Sequence, residues 1–398
     1  MINNKLVEEE FKFLGNNIHL NVSQVAMPPK RVQEAYGSFM DKYVKSLGEG
    51  IVDEAWNIVN ECRPKLQKLI NAKSSHEIGF VKNTAEGMGI LASGLKLSPG
   101  DSIVIADQEH QSTLFPWINA HQLRGIRLNV VKSRDHEVNE DDMISAIDEK
   151  TRVLVVSSAQ FSTGYRIDLT KLGDACHKRN IIFAVDGIQT LGRFTMDVQR
   201  DHIDYLVAGS NKGLLGSLGC GFVYCSDRII NDITPPYAGY QSTENHVAAP
   251  SVTSNFEYLE WHPNARKFES GNLSYNCILA LSKGVDLLLE LGMDNIETQV
   301  RALEKRLRDN ISNLTLPVVQ AKDPIHWGGI VCVYYPKEHE DIVIETMSKY
   351  RIHGTMRGGY IRFGVDFYNT LEQMDIVSKA LYEIEEKTKT GIKQENKT

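Results

Sequence analysis

The sequence predicts an α/β fold built on buried parallel strands, and three observations carry that prediction. Short apolar runs recur along the chain, at Ile78 to Val81, Ile103 to Ala106, Val153 to Val156, Ile181 to Val185 and Tyr205 to Ala208. Each leaves its run through a polar exit, the pattern of strands covered on both faces. Between them lie stretches of helical period, of which Val52 to Ala72 is the clearest, with Ala55, Ile58, Val59, Leu66, Leu69 and Ile70 on one face. Finally, 398 residues exceed one ordinary core, so two lobes are expected, and 42% hydrophobic residues suffice to fill them.

The most informative stretch runs from Phe183 to Phe222, FAVDGIQTLGRFTMDVQRDHIDYLVAGSNKGLLGSLGCGF. One strand ends on Asp186; the next enters a Gly/Ser/Asn segment carrying Lys212. Two such strands deliver an acid and an amine to neighbouring loops at one sheet edge, where open α/β sheets place their ligands. A carboxylate that keeps a pyridine nitrogen protonated and a lysine that forms an imine are two groups that pyridoxal phosphate requires. Taken singly, each residue reads equally as a solvated loop charge. The order Gly209, Ser210, Asn211, Lys212, Gly213 lacks the Walker spacing, and Gly216, Gly219 and Gly221 do not follow a strand into a helix as a dinucleotide fingerprint does.

In chain order, IHLNVSQVAMPP reads as extended sequence, with helix-like spacing after the proline pair. In EIGFVKNTAEGMGILASGL a strand yields at Asn83 and Thr84 to a small-residue helix, whose free amides and dipole suit a phosphate; Thr84 is then either a phosphate ligand or an N-cap. DSIVIADQEHQSTLFPW leads from a strand to Glu109 and His110, and VLVVSSAQFSTGYRIDL leads to Gln160 and Thr163. From Ile233 to Trp261 the chain is loop-rich, with Tyr237, Tyr240 and Gln241 at the mouth of the site. ARKFESGNLSYNCILALSKGVDLLLELG opens a long helix between the lobes. The remainder alternates helices (Ile296 to Leu314, Glu340 to Tyr350) with strands (Gly329 to Tyr335, Tyr360 to Gly364), an α+β small lobe.

In this order the segments resemble the class V aminotransferase family, fold-type-I pyridoxal-phosphate enzymes that include cysteine desulfurases, carbon–sulfur lyases, kynureninase and isopenicillin N epimerase. The likeness spans Ile18 to Phe367. It implies a large lobe with a mostly parallel seven-stranded sheet flanked by helices, and a smaller α+β lobe built from the C-terminal part plus the N-terminal segment. The divisions are 1–20, packing with the small domain; 21–265, the cofactor-binding domain; and 266–398, the interdomain helix and small domain.

The resemblance also assigns roles. Thr84, Ala85 and Glu86 match the segment around the cofactor phosphate, Ala85 standing where a second threonine is common. His110 matches the histidine stacked on the pyridine ring, Asp186 the partner of its nitrogen, Gln189 the donor to its oxygen, and Lys212 the imine-forming lysine that afterwards moves the α proton. Ser210 and Asn211 replace the usual Ser-x-His before the lysine, and are expected to donate to phosphate. Asn272 replaces the threonine of the FExGT segment, which reaches a phosphate across a dimer interface; a homodimer is implied. Arg362 matches the arginine that grips the substrate carboxylate, a bidentate task suited to guanidinium. Arg357 either assists it or makes a structural ion pair. Gln160, Asn21 and Tyr240 are further substrate-contact candidates.

Desulfurases use a cysteine on the loop before that arginine, and RIHGTMRGGYIR between Arg351 and Arg362 has none, so a persulfide-forming desulfurase is not expected. The expected enzyme acts on an amino acid by α-proton abstraction and is a lyase working by β-elimination, a carbon–sulfur bond being one candidate target; an epimerase or transaminase is the alternative. A non-catalytic binding protein keeping the fold is weighed against by the joint presence of Asp186, Lys212 and Arg362. A net charge of −7 with acids and bases mixed argues against nucleic acid, and the absence of a long apolar run argues against a membrane and for the cytoplasm. The six cysteines lack metal-ligand spacing and read as buried thiols, with no metal expected.

Overall fold

The computed structural model describes residues 2–244 and 258–395; the part of the loop-rich reading that falls on 245–257 lies outside the described residues. Seven strands form the main sheet in the order Ile78–Val81, Gly221–Cys225, Tyr205–Gly209, Ile182–Asp186, Thr151–Ser157, Ser102–Ala106, Arg127–Val131. All neighbours pair parallel except at Gly221–Cys225, which runs antiparallel to both of its partners. The fold class predicted from sequence is therefore the one observed.

Strand alternation explains why the runs are apolar throughout. Ile103, Ile105, Val153, Val155 and Val207 pack with Met88, Leu91 and Trp117 of the helices Thr84–Gly94 and Gln111–Arg124. Their neighbours Val104, Leu154, Val156, Phe183 and Leu206 pack on the other face with Leu66 and Ile70 of Ile51–Ile70. A side-chain period of two with both faces covered leaves no position for a polar residue until the strand ends. The first helix of this second layer buries the residues its spacing predicted and stops at Asn71, which has a left-handed backbone with φ 54°.

The small lobe carries a four-stranded antiparallel sheet in the order Thr355–Arg357, Tyr360–Gly364, Ile330–Tyr334, Val318–Val319. The helix expected over Ile296 to Leu314 runs Met293–Asn310, beginning directly after Gly292. Ile18–His19 pairs in parallel with Ile352–His353, and Leu20 accepts from the Gly364 amide, so the start of the chain is stitched to the small lobe.

Arg193, 1% exposed, ties the lobes together. Its guanidinium donates to the carbonyls of Gln189 in the large lobe and of Gly329 and Val365 in the small one. Close backbone approach fixes the neighbouring loop. Gly192 has φ +83°, and a Cβ there would lie 2.0 Å from the Gly213 carbonyl oxygen, next to Lys212. Gly192→Ala is expected to destabilise the protein by about 3 kcal/mol, combining positive-φ strain with overpacking; a denaturant midpoint equal to the parent's would refute the close contact.

Candidate active site

The exits of the central strands share one electrostatic neighbourhood, in which Lys212 acts on both Asp186 and His110. Asp186, last residue of its strand, is 2% exposed and accepts from the Ile188 amide through Oδ1 (3.0 Å) and from the Thr113 hydroxyl through Oδ2 (2.7 Å). Burial pushes its pKa up; the two donors and the charge of Lys212 oppose the rise. Lys212 is half-buried, and among the described residues its ammonium has no hydrogen-bond or ion-pair partner. Burial draws its pKa down to about 8, against the pull of Asp186 and with the help of Arg362, Arg193 and Arg357.

His110 caps the helix Gln111–Arg124 by accepting the Ser112 amide at Nδ1 (3.1 Å), which places the ring proton of the neutral form on Nε2. Burial, then the charges of Lys212, Arg357 and Arg362, lower its pKa, which favours the neutral ring. Phe161 meets it edge-on at 4.9 Å. Arg362, 2% exposed, gives Nη1 to the Phe161 carbonyl (2.6 Å) and Nη2 to Thr355 Oγ1 (3.4 Å). The same threonine hydroxyl donates to Asn21 Oδ1.

Other sequence candidates are held less directly. Thr84 Oγ1 accepts the Gly209 amide (3.2 Å), joining the start of the helix Thr84–Gly94 to the strand that precedes Lys212. The Glu86 amide is taken by Asn83 Oδ1, and its carboxylate by the Lys82 amide and the Tyr237 hydroxyl. Ser210 does not present a donor: its one proton is committed to the carbonyls of Ser217 (2.6 Å) and Cys220 (2.9 Å). Asn211 points its amide at the Gln24 carbonyl (3.4 Å). Gln189 gives its amide to Ser23 O (3.2 Å), and Gln160 gives its own to Glu109 (2.8 Å) instead of holding it for an anion. Asn272 is exposed and accepts from Tyr240 (2.6 Å), outside the cluster of Lys212, Asp186, His110 and Arg362. Trp327 lies on Arg308 in the small lobe at 4.9 Å.

Sequence reasoning missed Thr113, Thr355, Arg193 and the role of Glu109. Thr113 alone carried a signal, since it follows His110 by three residues and so shares its helix face.

Among the described residues Arg362 Nε and Ser23 Oγ are buried donors without partners, which with the ammonium of Lys212 fit an anionic carbonyl compound such as a phosphorylated pyridine aldehyde; Gln189 Oε1 and Gln160 Oε1 are buried acceptors without partners and call for a donor instead. Such groups cost free energy unless something else completes them. At Gly209 a Cβ would stand 3.2 Å from Asn211 Oδ1 and from Ile188 Cδ1, so the floor beside Thr84 is closed to any larger residue without adjustment.

The class-V aminotransferase family model matches residues 20–377. A probable cysteine desulfurase of Methanothermobacter thermautotrophicus is 28% identical, the match covering 95% of this chain and 97% of the relative. The apo structure of the cysteine desulfurase from Thermococcus onnurineus superposes with a TM-score of 0.86 at 23% identity, covering 98% of this chain and 99% of the other. A complex of a cystine C–S lyase with its reaction product cysteine persulfide gives a TM-score of 0.83 at 20% identity, covering 94% and 99%. Relatives and neighbours of this kind overturn the expectation that the chain is not a persulfide-forming cysteine desulfurase. That exclusion rested on one segment, Arg351 to Arg362. Cys332 stands directly across from Arg362 in the small-lobe sheet, but it is 1% exposed, gives its thiol to Ser162 O at 3.1 Å, and burial pushes its pKa up to about 12.

The lowered pKa of Lys212 has a kinetic consequence. Only the unprotonated amine is nucleophilic, so the cofactor-free chain should take up pyridoxal phosphate faster as pH rises through about 8, levelling above it. Visible absorbance measures this, and a rate still climbing towards pH 10.5, the ordinary lysine value, would contradict the buried setting.

Proposed function

We propose that this chain, which belongs to the class V aminotransferase family of pyridoxal-phosphate enzymes, removes the α proton of an amino acid with Lys212 and cleaves the bond between its β carbon and sulfur. The observation that carries the first half is the partnerless amine of Lys212 in one electrostatic neighbourhood with Asp186, His110 and Arg362. Support for sulfur comes from the relatives and neighbours, named as cysteine desulfurases and a cystine C–S lyase.

Bound there, pyridoxal phosphate supplies an electron sink for the pair released at the α carbon. Asp186 keeps a proton on the ring nitrogen: each oxygen already accepts one hydrogen bond from the protein and retains a lone pair for another. The imidazole of His110 would cover the ring. The amides at the start of Thr84–Gly94 would hold the phosphate, aided by Thr84. Arg362 offers the edge formed by Nε and Nη2 to the substrate carboxylate, because Nη1 is occupied by Phe161 O. With the carboxylate fixed, Lys212 reaches the α hydrogen, and its depressed pKa leaves a usable fraction of free base near neutrality. Asn21 and Gln160 line the carboxylate end through Thr355 and Phe161. The enzyme acts as a cytoplasmic homodimer in this reading, with Tyr240 and the exposed Asn272 at the subunit boundary.

Two measurements test it. L-cysteine and L-cystine supplied to the purified holoenzyme should release sulfur, as sulfide or persulfide, together with pyruvate and ammonia or with alanine. Exchange of the α hydrogen with solvent, or amino transfer to a keto acid, without sulfur release would defeat the carbon–sulfur reading. Lys212→Ala should lose the visible band that borohydride bleaches and slow turnover by at least about a hundredfold; full turnover in that variant would remove Lys212 from the mechanism.

A further inference from the structure

Glu109 is buried at 5% exposure and has no cationic partner among the described residues. An acid so placed is expensive to keep unless several donors hold it. Here both oxygens accept from the Ser157 amide at 3.0 and 3.1 Å, Oε2 also accepts the Ser157 hydroxyl, and Oε1 accepts Gln160 Nε2 at 2.8 Å. Burial pushes the acid up to about 7, the Ser157 and Gln160 donors opposing and nearby Asp186 adding to the rise.

These donors lie on the element that shapes the other side of the cleft. Ser157 pairs in register with Asp186. Gln160 begins a tight loop closed by its own amide on Tyr165 O and by the Gly164 amide on Gln160 O, both 2.8 Å. Phe161 within that loop supplies the carbonyl that holds Arg362 Nη1, and Ser162 supplies the carbonyl that takes the Cys332 thiol at 3.1 Å. The ionised form can only accept, and both oxygens of Glu109 take donors here, so it holds the NH2 of Gln160 towards itself. The orientation of Gln160, and with it the register of the loop, is dictated from Glu109.

We propose that Glu109 is a positioning residue for the carboxylate grip: by anchoring Gln160 and Ser157 it fixes the Phe161 carbonyl, which turns the Nε–Nη2 edge of Arg362 towards the substrate. This rests on the reading of Lys212 and Arg362 given above. It assigns Glu109 no contact with substrate or cofactor.

The test uses two small nucleophiles that react at the cofactor carbon of the holoenzyme and differ by a carboxylate, aminooxyacetate and methoxyamine, each followed by the loss of the visible band. The ratio of their rate constants reports the grip of Arg362 and is insensitive to general loss of active protein. Glu109→Ala should lower the ratio by roughly tenfold, since small displacements of a positioning group are costly. Glu109→Gln should restore it to within about twofold, because its amide can accept from Ser157 and donate to the unpartnered Gln160 Oε1. Added to Arg362→Ala, Glu109→Ala should lower the ratio no further. Equal slowing of both probes, an unchanged ratio, or multiplying effects in the double variant would overturn the proposal. Should Glu109→Ala fail to fold, Gln160→Ala cuts the same link while keeping the acid, and an unchanged ratio there overturns it equally. A parent protein whose spectrum responds to neither probe defeats the underlying reading, and the proposal with it, a result told apart because it appears before any substitution.

Discussion

A single cation with almost no exposure determines how the two lobes meet. Arg193 spends its guanidinium on three backbone carbonyls, one in the large lobe and two in the small, and the charges of Asp366 and then Glu304 partly offset its burial. Burial pushes the Asp366 carboxyl up to about 7 in spite of that cation. Each carbonyl left unpaired by its removal would cost about 1–3 kcal/mol. Gly329 has no side chain for the same reason: a Cβ there would lie 2.0 Å from Arg193 Nη2. Because Gln189 is one of the three residues held, the strut that joins the lobes also ends in the cleft.

Around that strut, the site holds ionisable groups at reduced exposure to water and shifts each in the direction burial dictates. The acid Asp186 is raised and the bases Lys212 and His110 are lowered. For Asp186 two donors and the nearby ammonium oppose the rise. For Lys212 only the charge of Asp186 opposes the fall, without a hydrogen bond among the described residues, so burial and the surrounding arginines prevail. The loop Gln160 to Tyr165 lies between these groups and the small lobe, touching Glu109 on one side and Arg362 on the other.

Much of this was legible in the chain. Strands buried on both faces must be continuously apolar, so the five runs marked the core of the sheet and their polar exits marked its active edge. Asp186 and Lys212 stood out because each follows such a run. The resemblance supplied Arg362 and His110, which no spacing reveals. Ser210 and Asn211 could be read as phosphate donors because their chemistry allows it; only the folded loop shows their hydrogen-bonding groups turned towards Ser217, Cys220 and Gln24. Glu109, Thr355 and Arg193 act through partners distant in sequence, and a linear reading has no access to such pairs. The desulfurase exclusion rested on the absence of a cysteine between Arg351 and Arg362, and a residue missing from one segment did not outweigh the likeness of the whole chain to desulfurases.

The strand Ile18–His19 and the residues after it lie across both lobes: Leu20 donates to His353 O, Ser23 O receives Gln189, and the Ala26 amide donates to Asn211 O. Asn21 and its partner Thr355 are 334 residues apart. During synthesis this segment therefore waits for partners made far later. The strands of the main sheet are all present by Cys225, whereas Asn21 gains Thr355 and Gly364 only once the small lobe is made, so the two lobes are locked together after the main sheet can already have formed.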